Sequence, residues 1–160
     1  MTPVRGIRTV LLAEHPNALV PLAAAYQREW PEWYGAHSDA LADLRERSRR
    51  VGLPKGFVAL EDRLPIGAIA IAEKSVSSHA HLSPWIVGFW VEPAHRNRGV
   101  GARLLVEACS HAHGQGLHRL YAATAGASRL FMRTGWRAVD TGASGRGGSI
   151  TVFCKNLLQS

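Results

Sequence analysis

Residues 96–101, Arg-Asn-Arg-Gly-Val-Gly, place two glycines inside a basic segment, and the chemistry this composition suits is anion binding. Gly99 and Gly101 let an anion approach the backbone without meeting a Cβ, while Arg96, Arg98 and Arg103 add positive charge. Such a loop works best where it opens a helix, because the first turn presents unpaired N–H groups and about half a positive charge. Two nucleotide motifs fail here. A G-x-G-x-x-G fingerprint needs glycine where Leu104 stands, and a P-loop needs Gly-Lys-Ser/Thr where the chain has Gly101-Ala102-Arg103. The pattern present is Arg-x-x-Gly-x-Gly, in Arg96, Gly99 and Gly101.

A strand must deliver this loop and a helix must follow it. Residues 85–91 read as the strand, ended by Pro93, which lacks a backbone N–H. Val100, Leu104, Leu105, Ala108 and Ala112 then recur at three- and four-residue spacing, marking the buried face of a helix that Gly114 and Gly116 stop. Upstream, residues 7–12 suit a strand, and Pro16-Asn17 starts a helix carrying Leu19, Val20, Leu22, Ala23 and Tyr26 that ends near Trp30-Pro31. A second helix is predicted over residues 38–50, with Ser38 as N-cap and Leu41 and Leu44 on its buried side. Residues 57–61 and 66–73 form a hairpin around Asp62-Arg63-Leu64-Pro65. Downstream come a strand over 117–124, a short helix over 127–134 ended by Gly135, and strands over 136–141 and 150–155 joined by the glycine- and serine-rich segment 142–149. The order β-α-α-β-β-β-α-β-α-β-β predicts an α/β (α+β) fold, a mixed sheet covered on its faces.

The 160 residues are about one domain long, so residues 1–160 read as a single unit able to bury roughly two thirds of its unfolded surface. A hydrophobic fraction of 46% with 19% charged residues argues against disorder. The net charge of +7 favours an anionic partner: nucleic acid, a membrane surface or a small polyanion. No zinc-finger spacing, aromatic RNP-like strand or heptad-linked basic region accompanies the charge, so no nucleic-acid partner is expected. The run Arg45, Arg47, Arg49 and Arg50, interrupted by Glu46, reads as a solvated helix face. Cys109 and Cys154 read as buried thiols rather than a disulfide framework. Arg5 and Arg8 precede an apolar stretch broken by Glu14, His15 and Pro16, and no segment approaches the roughly 18 apolar residues of a membrane span. A cytoplasmic setting without membrane association is expected. His111, His113 and His118 form no metal motif, since helix positions i and i+2 point apart, and no metal is expected.

With these elements in place, the chain resembles the GNAT superfamily of N-acetyltransferases, in their small single-domain bacterial type, over about residues 7–156. The resemblance implies a mixed, mostly antiparallel central sheet of six or seven strands, flanked by about four helices and splayed at the central strands. It also implies that the backbone amides of Asn97, Arg98, Gly99, Val100, Gly101 and Ala102, beside Arg96, bind the pyrophosphate of acetyl-CoA. Main-chain groups of Trp90 and Val91 would then lie along pantetheine and the thioester carbonyl, where a fixed donor stabilises a developing oxyanion. A second block, residues 124–136, is similar to the family's Asn-x-x-Ala-x-x-aromatic-Tyr-x-x-x-Gly-aromatic pattern, with Ala127, Gly135 and Trp136 matching. Two positions of this cofactor-side block depart from the pattern. Thr124 stands where Asn is usual, and Phe131 occupies the place of the Tyr that commonly protonates the leaving thiolate, a step Phe cannot perform.

The implied reaction is direct attack by a neutral amine on the acetyl carbonyl in a ternary complex, where proximity supplies much of the acceleration. Glu92, Glu73, His79 and His81 are the candidate bases, and water or Tyr121 is the candidate replacement for the missing acid. Trp30, Trp33, Tyr34 and Trp85 either wall the acceptor pocket or pack in the core. The acceptor stays open among a protein or peptide N-terminus, a polyamine, an amino acid and an aminoglycoside, and the chain is expected as a monomer or homodimer. The leading expectation is an acetyl-CoA-dependent N-acetyltransferase of a small amine or peptide N-terminus. Phe131 keeps a second reading in play, a module that holds acyl-CoA without turnover.

Overall fold

A computed structural model describes residues 6–35, 38–143 and 148–158. Arg5 and most of the connection expected over 142–149 lie outside the described residues. In chain order the described elements are β1 (Ile7–Leu11), α1 (Leu19–Glu29), α2 (Ala40–Glu46), β2 (Lys55–Glu61), β3 (Leu64–Ala72), β4 (Trp85–Val91), α3 (Val100–Gly114), β5 (Arg119–Thr124), α4 (Ser128–Arg133), β6 (Arg137–Ala143) and β7 (Ser149–Asn156). Short 3-10 turns at Pro16–Ala18, Ser77–His79 and Pro93–His95 lead into α1, β4 and α3 respectively. The seven strands form one sheet in the order β1-β2-β3-β4-β5-β7-β6, antiparallel throughout except where β4 meets β5. That is the mixed, mostly antiparallel sheet expected.

Alternation along the strands sorts the apolar side chains to two faces. One face carries Phe57, Ala59, Ile69, Ile71, Ile86, Leu120 and Phe153, packed under Leu104, Leu105, Ala108 and Ala112 of α3 and Phe131 of α4. The opposite face carries two separate clusters. Val58, Leu60, Ala68 and Trp90 pack under Leu22, Tyr26 and Leu44 of α1 and α2, whereas Trp85, Tyr121, Val152 and Cys154 form the second group across β4, β5 and β7. The division falls beside Gly88 of β4.

Three local details differ from the sequence reading. Asp39, not Ser38, caps α2: its carboxylate accepts from the N–H groups of Leu41 at 2.9 Å and Ala42 at 3.3 Å, and Ser38 Oγ donates to Asp43 instead. A carboxylate complements the positive helix end better than a hydroxyl does. The helix also stops at Glu46 rather than reaching Arg50, because the Arg47 carbonyl accepts the Gly56 N–H at 2.8 Å and draws the chain into β2. The hairpin between β2 and β3 turns on two residues, Asp62 and Arg63, with φ of 48° and 72°. Positive φ at both central positions matches the right-handed twist of the flanking strands, so Leu64 and Pro65 are free to join β3.

Candidate active site

Strand β4 pairs with β5 at one position only, Trp85 opposite Tyr121, reinforced by the Tyr121 N–H donating to the Pro84 carbonyl at 3.0 Å. Beyond that point the two strands separate and leave a V-shaped opening along β4. On its other edge β4 pairs with β3, but the register shifts so that Gly88 and Phe89 stand opposite Ile69 alone. This β-bulge, with Gly88 at φ 58°, turns the strand direction where it departs from β5.

The wide end of the V meets the glycine loop. Asn97 and Gly99 take positive φ of 63° and 86°, and Gly99 is the residue before α3. The first backbone bond into the helix runs from the Arg103 N–H to the Gly99 carbonyl at 3.1 Å. From Asn97 to Ala102, accordingly, no backbone N–H has a backbone acceptor among the described residues. A Cβ at Gly99 would meet nothing within 4 Å, so the space above these amides is open, and Arg98 and Arg103 are exposed beside it. This donor set fits the pyrophosphate of a CoA thioester. The two glycines differ in purpose: at Gly101 a Cβ would press on Leu130 at 2.9 Å and Phe89 at 3.3 Å, so this glycine lets α3 pack close to α4 and β4.

Arg96 is engaged within the protein. Its Nε donates to the Val91 carbonyl at 2.9 Å and its Nη2 pairs with Glu29, so it ties the loop to β4 and to the end of α1. Thr124 caps locally, its Oγ1 accepting from the N–H groups of Gly126 and Ala127, at 2.9 Å for the latter. Phe131 is buried among Phe89, Trp136 and Phe153, with ring centroids 5.2 to 5.9 Å away.

The expected acceptor residues are divided by the fold. Trp30 and Tyr34 gather around Tyr26, whose ring lies 4.9 Å from Trp30, 6.0 Å from Tyr34 and 6.4 Å from Trp90. Trp33 is exposed nearby in sequence. Trp85 and Tyr121 belong to the core at the closed end of the V, their centroids 5.7 Å apart, and the Trp85 indole N–H donates to the Leu82 carbonyl. Of the candidate bases, Glu92 follows β4 at the glycine-loop end and its N–H bonds the Ile66 carbonyl. His79 is buried with both ring nitrogens occupied, by Ser78 Oγ and by Asp140 Oδ2, each at 2.8 Å. His81 is exposed and stacks on His79 at 6.0 Å.

Sequence reasoning missed Tyr26 and Arg47 as polar groups. The Tyr26 hydroxyl donates to the Gly88 carbonyl at 2.6 Å, and burial pushes its ionisation far above the ordinary phenol value, so it stays a donor. Arg47 reaches the same bulge: a Cβ at Gly88 would collide with its Nη1 and stand 3.2 Å from the Tyr26 hydroxyl. The signal in the sequence was the spacing of Ala40, Leu44 and Arg47, which share one helix stripe.

The sheet splays at its parallel join, beside a helix that begins with free amides. The sequence matches the acetyltransferase (GNAT) family over residues 22–136, and the chain belongs to that family, whose members are acetyl-CoA-dependent acyltransferases. Solved structures agree in fold. An aminoglycoside 6'-N-acetyltransferase complexed with coenzyme A superimposes with a TM-score of 0.78 at 14% identity, covering 96% of this chain and 98% of that one. The aminoglycoside 6'-N-acetyltransferase of Enterococcus faecium gives 0.75 at 14% identity over 96% and 98%. NAA60 of Arabidopsis thaliana in complex with acetyl-CoA gives 0.73 at 15% identity over 94% and 98%. No curated protein sequence matches the chain. None of the described helices is long and apolar enough to cross a membrane.

Proposed function

We propose that the protein transfers the acetyl group of acetyl-CoA to a primary amine of a small molecule or a peptide N-terminus, by direct attack with both substrates bound. The observation that carries this reading is the opening between β4 and β5, which ends on the unpaired amides of residues 97–102. Acetyl-CoA supplies an activated acyl carbonyl when bound. The loop amides, with Arg98 and Arg103, hold its pyrophosphate, and the main chain of Trp90 and Val91 runs beside pantetheine. Arg96 orients the loop through Val91 and Glu29 rather than touching phosphate. The amine enters on the α1–α2 face, where Trp30, Trp33 and Tyr34 border the bulge.

His81 takes the amine proton in this proposal, since it is exposed and its ring stacks on His79, which Asp140 holds in place. Glu92 lies at the opposite end of β4, nearer the phosphates. Tyr121 is held in the core, and Phe131 carries no proton, so the thiolate departs without a side-chain acid from either. A cytoplasmic setting with free thiols completes the reading, as Cys109 and Cys154 form no disulfide.

Thiol release from acetyl-CoA across a panel of amines, with CoA titrated in a calorimeter, tests this function. Turnover on at least one amine is expected. CoA binding without turnover on any amine favours instead an acyl-CoA-binding module, the reading that Phe131 supports. Neither binding nor turnover would sink both.

A further inference from the structure

Arg47 is a cation with an unused donor, and the fold takes trouble to place it. Its N–H bonds the Asp43 carbonyl at 3.1 Å, and its carbonyl accepts from Gly56 at 2.8 Å. A Cβ at Gly56 would come within 3.2 Å of the Arg47 Cβ, so the residue sits against β2. From that fixed root the side chain crosses the sheet face to β4, where Nη1 fills the space a side chain at Gly88 would occupy. There Nη1 is fully buried and has no hydrogen-bond partner among the described residues.

Nor does a carboxylate neutralise it. The ion pairs among the described residues join Glu29 to Arg96, Glu61 to His95 and Asp140 to His79, and none includes Arg47. Asp43 accepts from Ser38 Oγ at 3.1 and 3.2 Å rather than lying at ion-pair distance from Arg47. The rest of the half-buried side chain interacts with the Tyr26 and Tyr34 hydroxyls, which carry no charge to balance it. A buried N–H left without an acceptor is unfavourable, and the planar guanidinium fork matches a carboxylate in particular. The position is the bulge where β4 leaves β5, beside the aromatic group of Tyr26, Trp30 and Tyr34. CoA phosphates held by the glycine loop would be too far to serve, since Gly88 precedes Val91 by about 10 Å of strand.

We propose that Arg47 recognises a carboxylate on the acceptor, so that the amines acetylated are amino acids or similar carboxylate-bearing amines. This rests on the acetyl-transfer reading above and names its substrate class. Arg47 acts here as a specificity residue and takes no part in the bond changes.

The test compares α-amino acids with their own amides, in the wild type, Arg47→Gln and Arg47→Lys. Wild-type kcat/KM is expected to favour each accepted acid over its amide by at least about tenfold. Arg47→Gln is expected to lose about 10- to 100-fold on the acids, mostly in KM, and less than about threefold on the amides, while Arg47→Lys recovers part of the preference. Melting temperature and CoA affinity are measured on each variant. Equal wild-type rates on acids and amides overturn the proposal. So does an equal loss on both from Arg47→Gln or Arg47→Lys, which would make Arg47 a brace for the bulge.

Binding is read separately by tryptophan fluorescence, using the same acids and amides as probes beside Trp30 and Trp90. If no amine is acetylated, the acetyl-transfer reading fails on its own. The fluorescence titration then still decides about Arg47: tighter binding of acids than amides by the wild type alone supports it, and no difference overturns it.

Discussion

The Tyr26 hydroxyl donates a 2.6 Å hydrogen bond to the Gly88 carbonyl, and through it α1 holds the bulge of the central strand. The bond spans 62 positions in sequence and sits where β4 has already lost β5 as a neighbour. Tyr26→Phe leaves that carbonyl without its donor, at a cost of about 1–2 kcal/mol. Urea unfolding is expected to show this loss, with acetyl transfer reduced more than CoA affinity. Unchanged unfolding midpoints would mean the bulge is held by other contacts.

Gly99 stands open at φ 86° in front of α3. Gly99→Glu sets a carboxylate over the free amides, and the backbone conformation adds about 1–2 kcal/mol of strain. CoA affinity is expected to fall at least about 100-fold by calorimetry, from like-charge repulsion against the pyrophosphate, while the far-ultraviolet circular dichroism spectrum stays that of the wild type. Retained affinity would move the phosphate site off this loop.

Phe131 fills the space between α4 and the sheet and is only 2% exposed. Truncation by Phe131→Ala is expected to cost about 3–5 kcal/mol, since three aromatic neighbours lose their contact at once. Chemical denaturation measures it. A loss below about 1 kcal/mol would show that the neighbours collapse into the gap.

Asp140 meets His79 at 2.8 Å, and this hydrogen bond, with the Thr141 N–H, holds its carboxyl below the ordinary value of 3.8. A carboxyl depressed in the folded state contributes stability that is present above the unfolded-state value and fades as the pH falls through the lower folded-state one. Thermal melts of Asp140→Asn are therefore expected to differ from wild type at neutral pH and to converge with it as the pH drops below about 4. Parallel melting curves down to pH 2 would refute the linkage.

How much of this was legible depended on distance along the chain. The strand at 85–91 and the helix from Val100 emerged at their observed starts because each is a local pattern of apolar spacing ended by Pro93 or opened by glycine. The turn at Gly99 that opens the helix was legible for the same reason. Arg47 was hidden in a run of arginines, where Arg45, Arg49 and Arg50 are solvated and only the helix stripe shared with Leu44 sets it apart. Trp85 and Trp30 look alike as residues, and only the fold decides that one is fully buried in the sheet and the other packs half-buried beside Tyr26. The pairing of His79 with Asp140, 61 positions apart, left no local trace at all.

The lone pairing of Trp85 with Tyr121 has a mechanical meaning. Up to the end of α3 the chain knits β1 to β4 by antiparallel neighbours, and from β5 onward it knits three more strands in the same way. Between those two blocks the backbone supplies a single hinge pin, and side chains such as Phe89 on Phe131 carry the rest of the load. The two blocks are therefore joined by the apolar layer under α3 and α4 far more than by backbone pairing, and a molecule lying along that seam would touch both.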